Sequence, residues 1–126
     1  MIRNKIKYVK GITLQKIQPD PLFGINMTPS SNGAENEFEI AKISDNLGID
    51  LISVQDHPYN RSSFNTWTLI TALAKSTKNI DFMTNVADIP LRYPPVLAKS
   101  AATLDILTKG RIELGVGAGA FWKAII

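Results

Sequence analysis

The chain has 126 residues, 44% of them hydrophobic and 20% charged, with five Phe, three Tyr and two Trp. That is enough for one packed domain, too short for a two-domain enzyme, and unlike a disordered chain. There is no cysteine and a single histidine, which excludes a disulfide framework, a thiolate nucleophile and a multi-histidine metal centre, and suits a cytoplasmic protein. The formal charge of +3 is uneven: residues 1–20 carry five bases against Asp20, and the remainder carries nine bases and ten acids.

The amino-terminal stretch therefore reads as a basic arm over residues 1–20. It lacks interleaved aromatics beyond Tyr8 and any recognition helix, so no nucleic-acid partner is expected. It also lacks the apolar core and small-residue cleavage site of a secretory signal. No later stretch approaches the roughly 20 apolar residues of a membrane span, so no membrane partner is expected either.

From residue 21 the chain alternates between two kinds of segment. LFGINM (22–27) is a short apolar run suited to a buried strand, and TPSSNG (28–33) is turn chemistry. ENEFEIAKISDNLG reads as a helix with acids early, Ile40, Ile43 and Leu47 on one side, and Gly48 to stop it. IDLISVQ (49–55) returns to a strand and DHPYNRSS is a loop. Residues 65–77 form a second helix, with Trp67, Ile70 and Ala74 as one stripe and Leu69 and Leu73 beside it. IDFMTNV (80–86) is a third strand and ADIPLRY a third loop. Pro94 and Pro95 open a third helix, where a missing N–H is harmless, with Leu97, Ala101, Leu104 and less strictly Leu107 facing inward before Lys109 and Gly110 cap it. RIELGV is a fourth strand.

Strand starts near 22, 51, 80 and 111 are the spacing of a strand, a crossover helix and a return. The fold class is α/β, with parallel strands and crossover helices. Residues 21–126 are read as a partial barrel domain of about four strands and three helices. A complete eight-unit barrel takes about 250 residues. The expectation is therefore the amino-terminal half of a TIM-type (β/α)8 barrel, ending before a fourth helix. A half barrel leaves two parallel edges open, so the expected partner is a second copy or a companion chain that completes it.

Sites in parallel sheets gather at the carboxyl ends of strands. The candidates are Asp56 and His57, Asn85 to Asp88, and Gly115 to Ala120. An imidazole after a buried strand, between an acid and the rigid Pro58, suits proton transfer at a substrate hydroxyl; its alternative is a core-edge histidine. Asn85 is either a ring-binding amide or a turn residue. Arg92 is either an anion ligand or a surface salt-bridge partner, and Asp88 has no partner legible in the sequence. Gly115, Gly117 and Ala120 formally match G-x-G-x-x-A, but that fingerprint belongs after a first strand and needs a helix behind it, so a phosphate loop is rejected.

The run LAKSAATLDILTKGRIELGVGAG (97–119) resembles the luciferase-like flavin and deazaflavin oxidoreductases, whose third crossover helix and fourth strand carry a similar ATLD-x-L-S/T-x-GR-x-x-L-G-x-G-x-G signature. NLGIDLISVQDH (46–57) and LAKSTKNIDFMTNV (73–86) resemble the same family's second strand with its acid and histidine, and its second helix and third strand. The resemblance implies a barrel that holds FMN or a deazaflavin coenzyme at its carboxyl face, with oxygen activation or hydride transfer to or from a small-molecule substrate. It implies His57 as the catalytic residue. It also implies cofactor contacts from Asp56, Asn85, Val86, Ala87, Gly115 and Gly117, and a non-proline cis peptide with a bulge at Asn85–Val86; no metal is expected, given the single histidine and the absence of cysteine. The loop VADIPLRYPPV looks more like the deazaflavin users, so deazaflavin is preferred over FMN. Ala120 departs from the sugar-phosphate dehydrogenases of the family, which carry a carboxylate there. The competing expectation is a non-catalytic fragment or accessory half-barrel that associates with another chain.

Overall fold

The computed structural model describes residues 21–119; the basic arm and Ala120 lie outside the described residues. Strands β1 (Gly24–Met27), β2 (Leu51–Val54), β3 (Asp81–Thr84) and β5 (Ile112–Glu113) form one parallel sheet in the order β1-β2-β3-β5. Helices α1 (Ala34–Leu47), α2 (Thr66–Ser76) and α3 (Pro94–Thr108) make the crossovers. Two further short strands, β4 (Ala87–Asp88) and β6 (Val116–Gly117), pair with each other in parallel.

Strand order follows chain order without a switch point. That is the order of a barrel wall, whereas a doubly wound sheet reverses at its centre. One core joins the sheet to the helices: Ile52, Val54 and Phe82 from alternate strand positions meet Ala41 of α1, Leu69, Ile70, Leu73 and Ala74 of α2, and Leu104 of α3. The period-two pattern leaves Leu51, Ser53, Asp81 and Met83 half-buried on the other face. The fold is thus a parallel sheet with helical crossovers that corresponds to part of a (β/α) barrel.

The helix ends form where their residues demand. Asn65 accepts a hydrogen bond from the Thr68 N–H at 3.1 Å and caps α2. Gly48 and Lys109, both left-handed, end α1 and α3, and the two prolines occupy the first turn of α3. Among the described residues, no helix is long and apolar enough to cross a membrane.

Three expectations change. The Ile40, Ile43 and Leu47 stripe of α1 stays outside the core, with Leu47 75% exposed; the buried line is Glu37, Ala41 and Ser44. Small Ala41 and Ser44 let the helix approach closely, and Glu37 is retained because the Ser30 N–H donates to it. Leu107 is likewise exposed, since Thr108 turns inward and donates its hydroxyl to the Leu104 carbonyl. The third and fourth predicted strands are each interrupted, after Thr84 and after Glu113, and each resumes as a second short pair. The Gly115 carbonyl links the two pairs, accepting from the Thr84 hydroxyl and the Ala87 N–H, both at 2.7 Å.

Candidate active site at the strand ends

The interruption of β3 and β5 shapes the site. A cis peptide joins Asn85 to Val86 between β3 and β4, at the position the resemblance implies. Opposite it, Gly115 and Gly117 bring the other strand close. A Cβ on Gly115 would meet the Thr84 carbonyl oxygen, and one on Gly117 would meet Cγ2 of Val86. Gly115 thus permits an approach of backbones that any side chain would block, and Gly117 leaves room for the Val86 side chain.

The loop after β2 is held on several sides. The Phe64 N–H donates to the Pro29 carbonyl at 2.7 Å, the Ser31 N–H to Ser62 at 2.8 Å, and the Asn60 N–H back to His57 at 2.9 Å. His57 is therefore carried on a fixed turn. Its Nδ1 lies 2.8 Å from the Tyr59 hydroxyl, with the two rings tilted at 57°. The Tyr59 pKa is raised, first by desolvation and then by the negative charges of Asp88 and Asp56, so the phenol keeps its proton at neutral pH.

Behind the histidine, Asp56 is almost fully buried and takes a two-pronged contact from Arg92: Nε to Oδ2 at 2.7 Å and NH2 to Oδ1 at 2.5 Å. The Asp88 N–H adds a third bond to Asp56 Oδ2 at 3.1 Å. Of the two alternatives for Arg92, the structure shows a salt bridge, but a largely buried one that ties the end of β2 to the approach to α3.

These groups surround a cavity of about 310 Å³, at the small end of the range for ligand sites. Of the residues expected from the sequence, Asp56, His57, Asn85, Val86 and Gly117 line it. Ala87 and Gly115 do not: Ala87 is fully buried, and the two are joined by their own backbone hydrogen bond. Tyr59, Asp88, Ala118 and Gly119 complete the lining. Sequence reasoning missed Tyr59, although its position two residues after the histidine was a usable signal. A larger cavity of about 510 Å³ lies beside the end of β1 and the start of α1. Among the described residues its one carboxylate on the wall, Glu37, is engaged by Ser30 and no histidine or arginine lines it, so we place the chemistry at the smaller cavity.

The luciferase-like monooxygenase family model matches residues 21–125. The chain belongs to the luciferase-like monooxygenase family. A curated member, the F420-dependent glucose-6-phosphate dehydrogenase of Amycolatopsis mediterranei, is 32% identical over 102 residues, covering 76% of this chain and 31% of its own length. The 5,10-methylenetetrahydromethanopterin reductase of Archaeoglobus fulgidus is 34% identical over 98 residues, covering 77% and 28%. Among solved structures, the oxygenating constituent of 3,6-diketocamphane monooxygenase from Pseudomonas putida, in complex with FMN, superposes with a TM-score of 0.73 at 28% identity, covering 82% of this chain and 31% of that one. The chain spans about a third of the length of the curated relatives it matches. The similar family members divide between users of F420 and of FMN.

The cavity fits a ring of this kind in two respects. Gly117 and Gly119 line it without side chains, and Asp88, which also lines it, has a buried carboxylate oxygen, Oδ1, with no hydrogen-bond partner among the described residues.

Proposed function

We propose that this chain supplies the ring-binding strand ends of a flavin- or deazaflavin-dependent oxidoreductase, with the deazaflavin preferred. The observation that carries the reading is the meeting of His57 and Tyr59 with the glycine-edged cavity at the ends of β2, β4 and β6. F420, named for the first of these relatives, is a deazaflavin. When bound, such a ring supplies two-electron transfer, or oxygen activation in the flavin case.

The chain's own residues supply position and a proton path. Asn85, Val86, Gly117 and Gly119 would border the ring. His57 would take a proton from a substrate hydroxyl or return one, and Tyr59 fixes the imidazole by its bond to Nδ1, leaving Nε2 for the substrate. Asp56, with both oxygens already engaged, holds Arg92 and the β4 backbone in place.

Titrating the chain with FMN and with F420, followed by absorbance and fluorescence, tests the reading. Saturable binding is expected, tighter for F420, and His57→Asn is expected to preserve it while lowering turnover with a matched alcohol about 10²–10⁴-fold. A folded, size-defined sample that binds neither ring overturns the proposal.

A second reading concerns assembly, and the exposed apolar side chains at the two ends of the strand order favour it. Leu22, Phe23, Ile43 and Leu47 are exposed at the β1 end, and Val96, Ile106, Leu107 and Leu114 at the β5 end. On this reading a second copy of the chain covers both ends and completes the barrel.

A further inference from the structure

Among the described residues of the site, the carboxylate of Asp88 is the one side chain with a buried polar atom left without a partner. The residue is only 5% exposed, its backbone is fixed by pairing with Gly117 and by the N–H bond to Asp56, and its Oδ1 is buried without a hydrogen-bond partner. Buried polar atoms in folded proteins are nearly always satisfied, and an orphaned charged acceptor is among the more expensive exceptions. The adjacent cation does not answer it, because the Arg92 guanidinium is engaged in its two-pronged contact with Asp56. With Asp56 and Arg92 committed to each other, the carboxylate of Asp88 is the acceptor left over beside the cavity. Such an acceptor selects a hydrogen-bond donor and repels a phosphate or carboxylate.

We propose that Asp88 accepts a hydrogen bond from the imide N–H of the bound ring. This deepens the cofactor reading above and rests on it. Flavins and deazaflavins share a pyrimidinedione half with one N–H between two carbonyls, and a carboxylate is a strong acceptor for that group. The assignment orients the ring: its pyrimidine edge faces the β4–β6 pair, and any phosphate-bearing tail points away from Asp88. His57 and Tyr59 then border the same cavity from the β2 side, where a substrate can lie against the ring.

The experiment compares FMN with its N3-methylated counterpart on the full chain, for the wild type and for Asp88→Ala and Asp88→Asn. The wild type is expected to bind FMN about tenfold more tightly than the methylated ring, the scale of one hydrogen bond to a charged group. In Asp88→Ala the preference falls below about twofold, since both the acceptor and the steric conflict with the methyl group are gone. Asp88→Asn, which keeps the shape and loses the charge, weakens FMN binding while thermal denaturation without ligand shows no loss of stability. Equal wild-type affinity for the two rings, or an undiminished preference in Asp88→Ala, overturns the assignment alone. No binding of either ring to folded wild type overturns the cofactor reading and this assignment with it. A marked destabilisation of both variants without ligand also overturns it, because it shows that Oδ1 serves the fold.

Discussion

Arg92 shows how much of the site hangs on one side chain. It reaches across 36 residues to the buried Asp56, and its loss strands a carboxylate with one remaining N–H bond from Asp88. Breaking a buried pair from one side costs about 3–5 kcal/mol, and the partial exposure of Arg92 argues for the lower figure. Arg92→Ala is therefore expected to lower the melting temperature on the order of 10 °C. Arg92→Lys, which keeps the charge but not the planar fork, is expected to recover part of that loss. Equal melting temperatures for Arg92→Ala and wild type would show that the pair contributes nothing. Asp56 and His57 were legible in the sequence because each directly follows an apolar strand run. The Asp56–Arg92 partnership was not, since spacing along a chain does not encode which side chains meet across a crossover helix and the strand that follows it. For the same reason Asp88 had no partner on paper, and the fold gives it a place at the cavity wall with one oxygen still unanswered.

At the scale of elements, the strand and helix sequence could be read directly, because apolar runs of four to seven residues recur between turn signals and capped helices. The break in β5 could not, because the apolar pattern runs straight through Leu114–Gly115 while the backbone changes partner; that in β3 was signalled only by the family resemblance, which implied the cis peptide at Asn85–Val86. Two glycines report on those breaks in different ways. A methyl on Gly115 meets a backbone carbonyl that cannot withdraw, whereas one on Gly117 meets the end of the Val86 side chain, which can rotate. Gly115→Ala is expected to destabilise the fold by about 2–4 kcal/mol, as severe overpacking does. Gly117→Ala should cost much less stability but narrow the cavity and weaken ring binding; chemical denaturation and ring titration separate the two outcomes. A second element-level device lies at the opposite end of the sheet, where Asp45 of α1 accepts the N–H groups of Lys78, Asn79 and Ile80, each at 2.8 Å. Desolvation acts to raise its pKa, but those three bonds and the charge of Arg111 outweigh it, so the net shift is downward. A carboxylate with a depressed folded pKa contributes stability above its unfolded pKa and loses it as pH falls through the folded value. Wild type should therefore lose melting temperature more steeply than Asp45→Asn below about pH 4. Parallel curves for the two proteins would remove Asp45 from the account.

At the scale of the whole molecule, the decisive feature is that among the described residues the sheet ends in two parallel edges, β1 and β5, with exposed apolar side chains near both. The stripe of Ile40, Ile43 and Leu47, which amphipathic reasoning assigned to the core, is instead exposed on the helix next to the β1 edge. At the other edge, α3 exposes Val96, Ile106 and Leu107 beside Leu114. Burial of each such side chain contributes about 1.5–3 kcal/mol, and together they exceed what isolated surface leucines need to explain. Four strands in sequential order are half of an eight-stranded wall, so two copies joined β5 edge to β1 edge, twice, would close it under two-fold symmetry. The expected species in sedimentation is then a discrete dimer, twice the 13.9 kDa chain mass, with no continuing ladder of larger forms. Ile43→Glu with Leu47→Glu should dissociate it, and so should Ile106→Glu with Leu107→Glu, because each interface uses one flank from each copy. Either pair alone suffices, and combining them adds nothing further. A wild-type chain that stays monomeric at all concentrations, or one whose size is unchanged by both pairs, excludes closure by self-association. Association that proceeds without limit would mean that the edges meet without closing. In the closed form the cavities at His57 and Asp88 would face a common mouth, so ring affinity should fall with the dimer when either flank is charged.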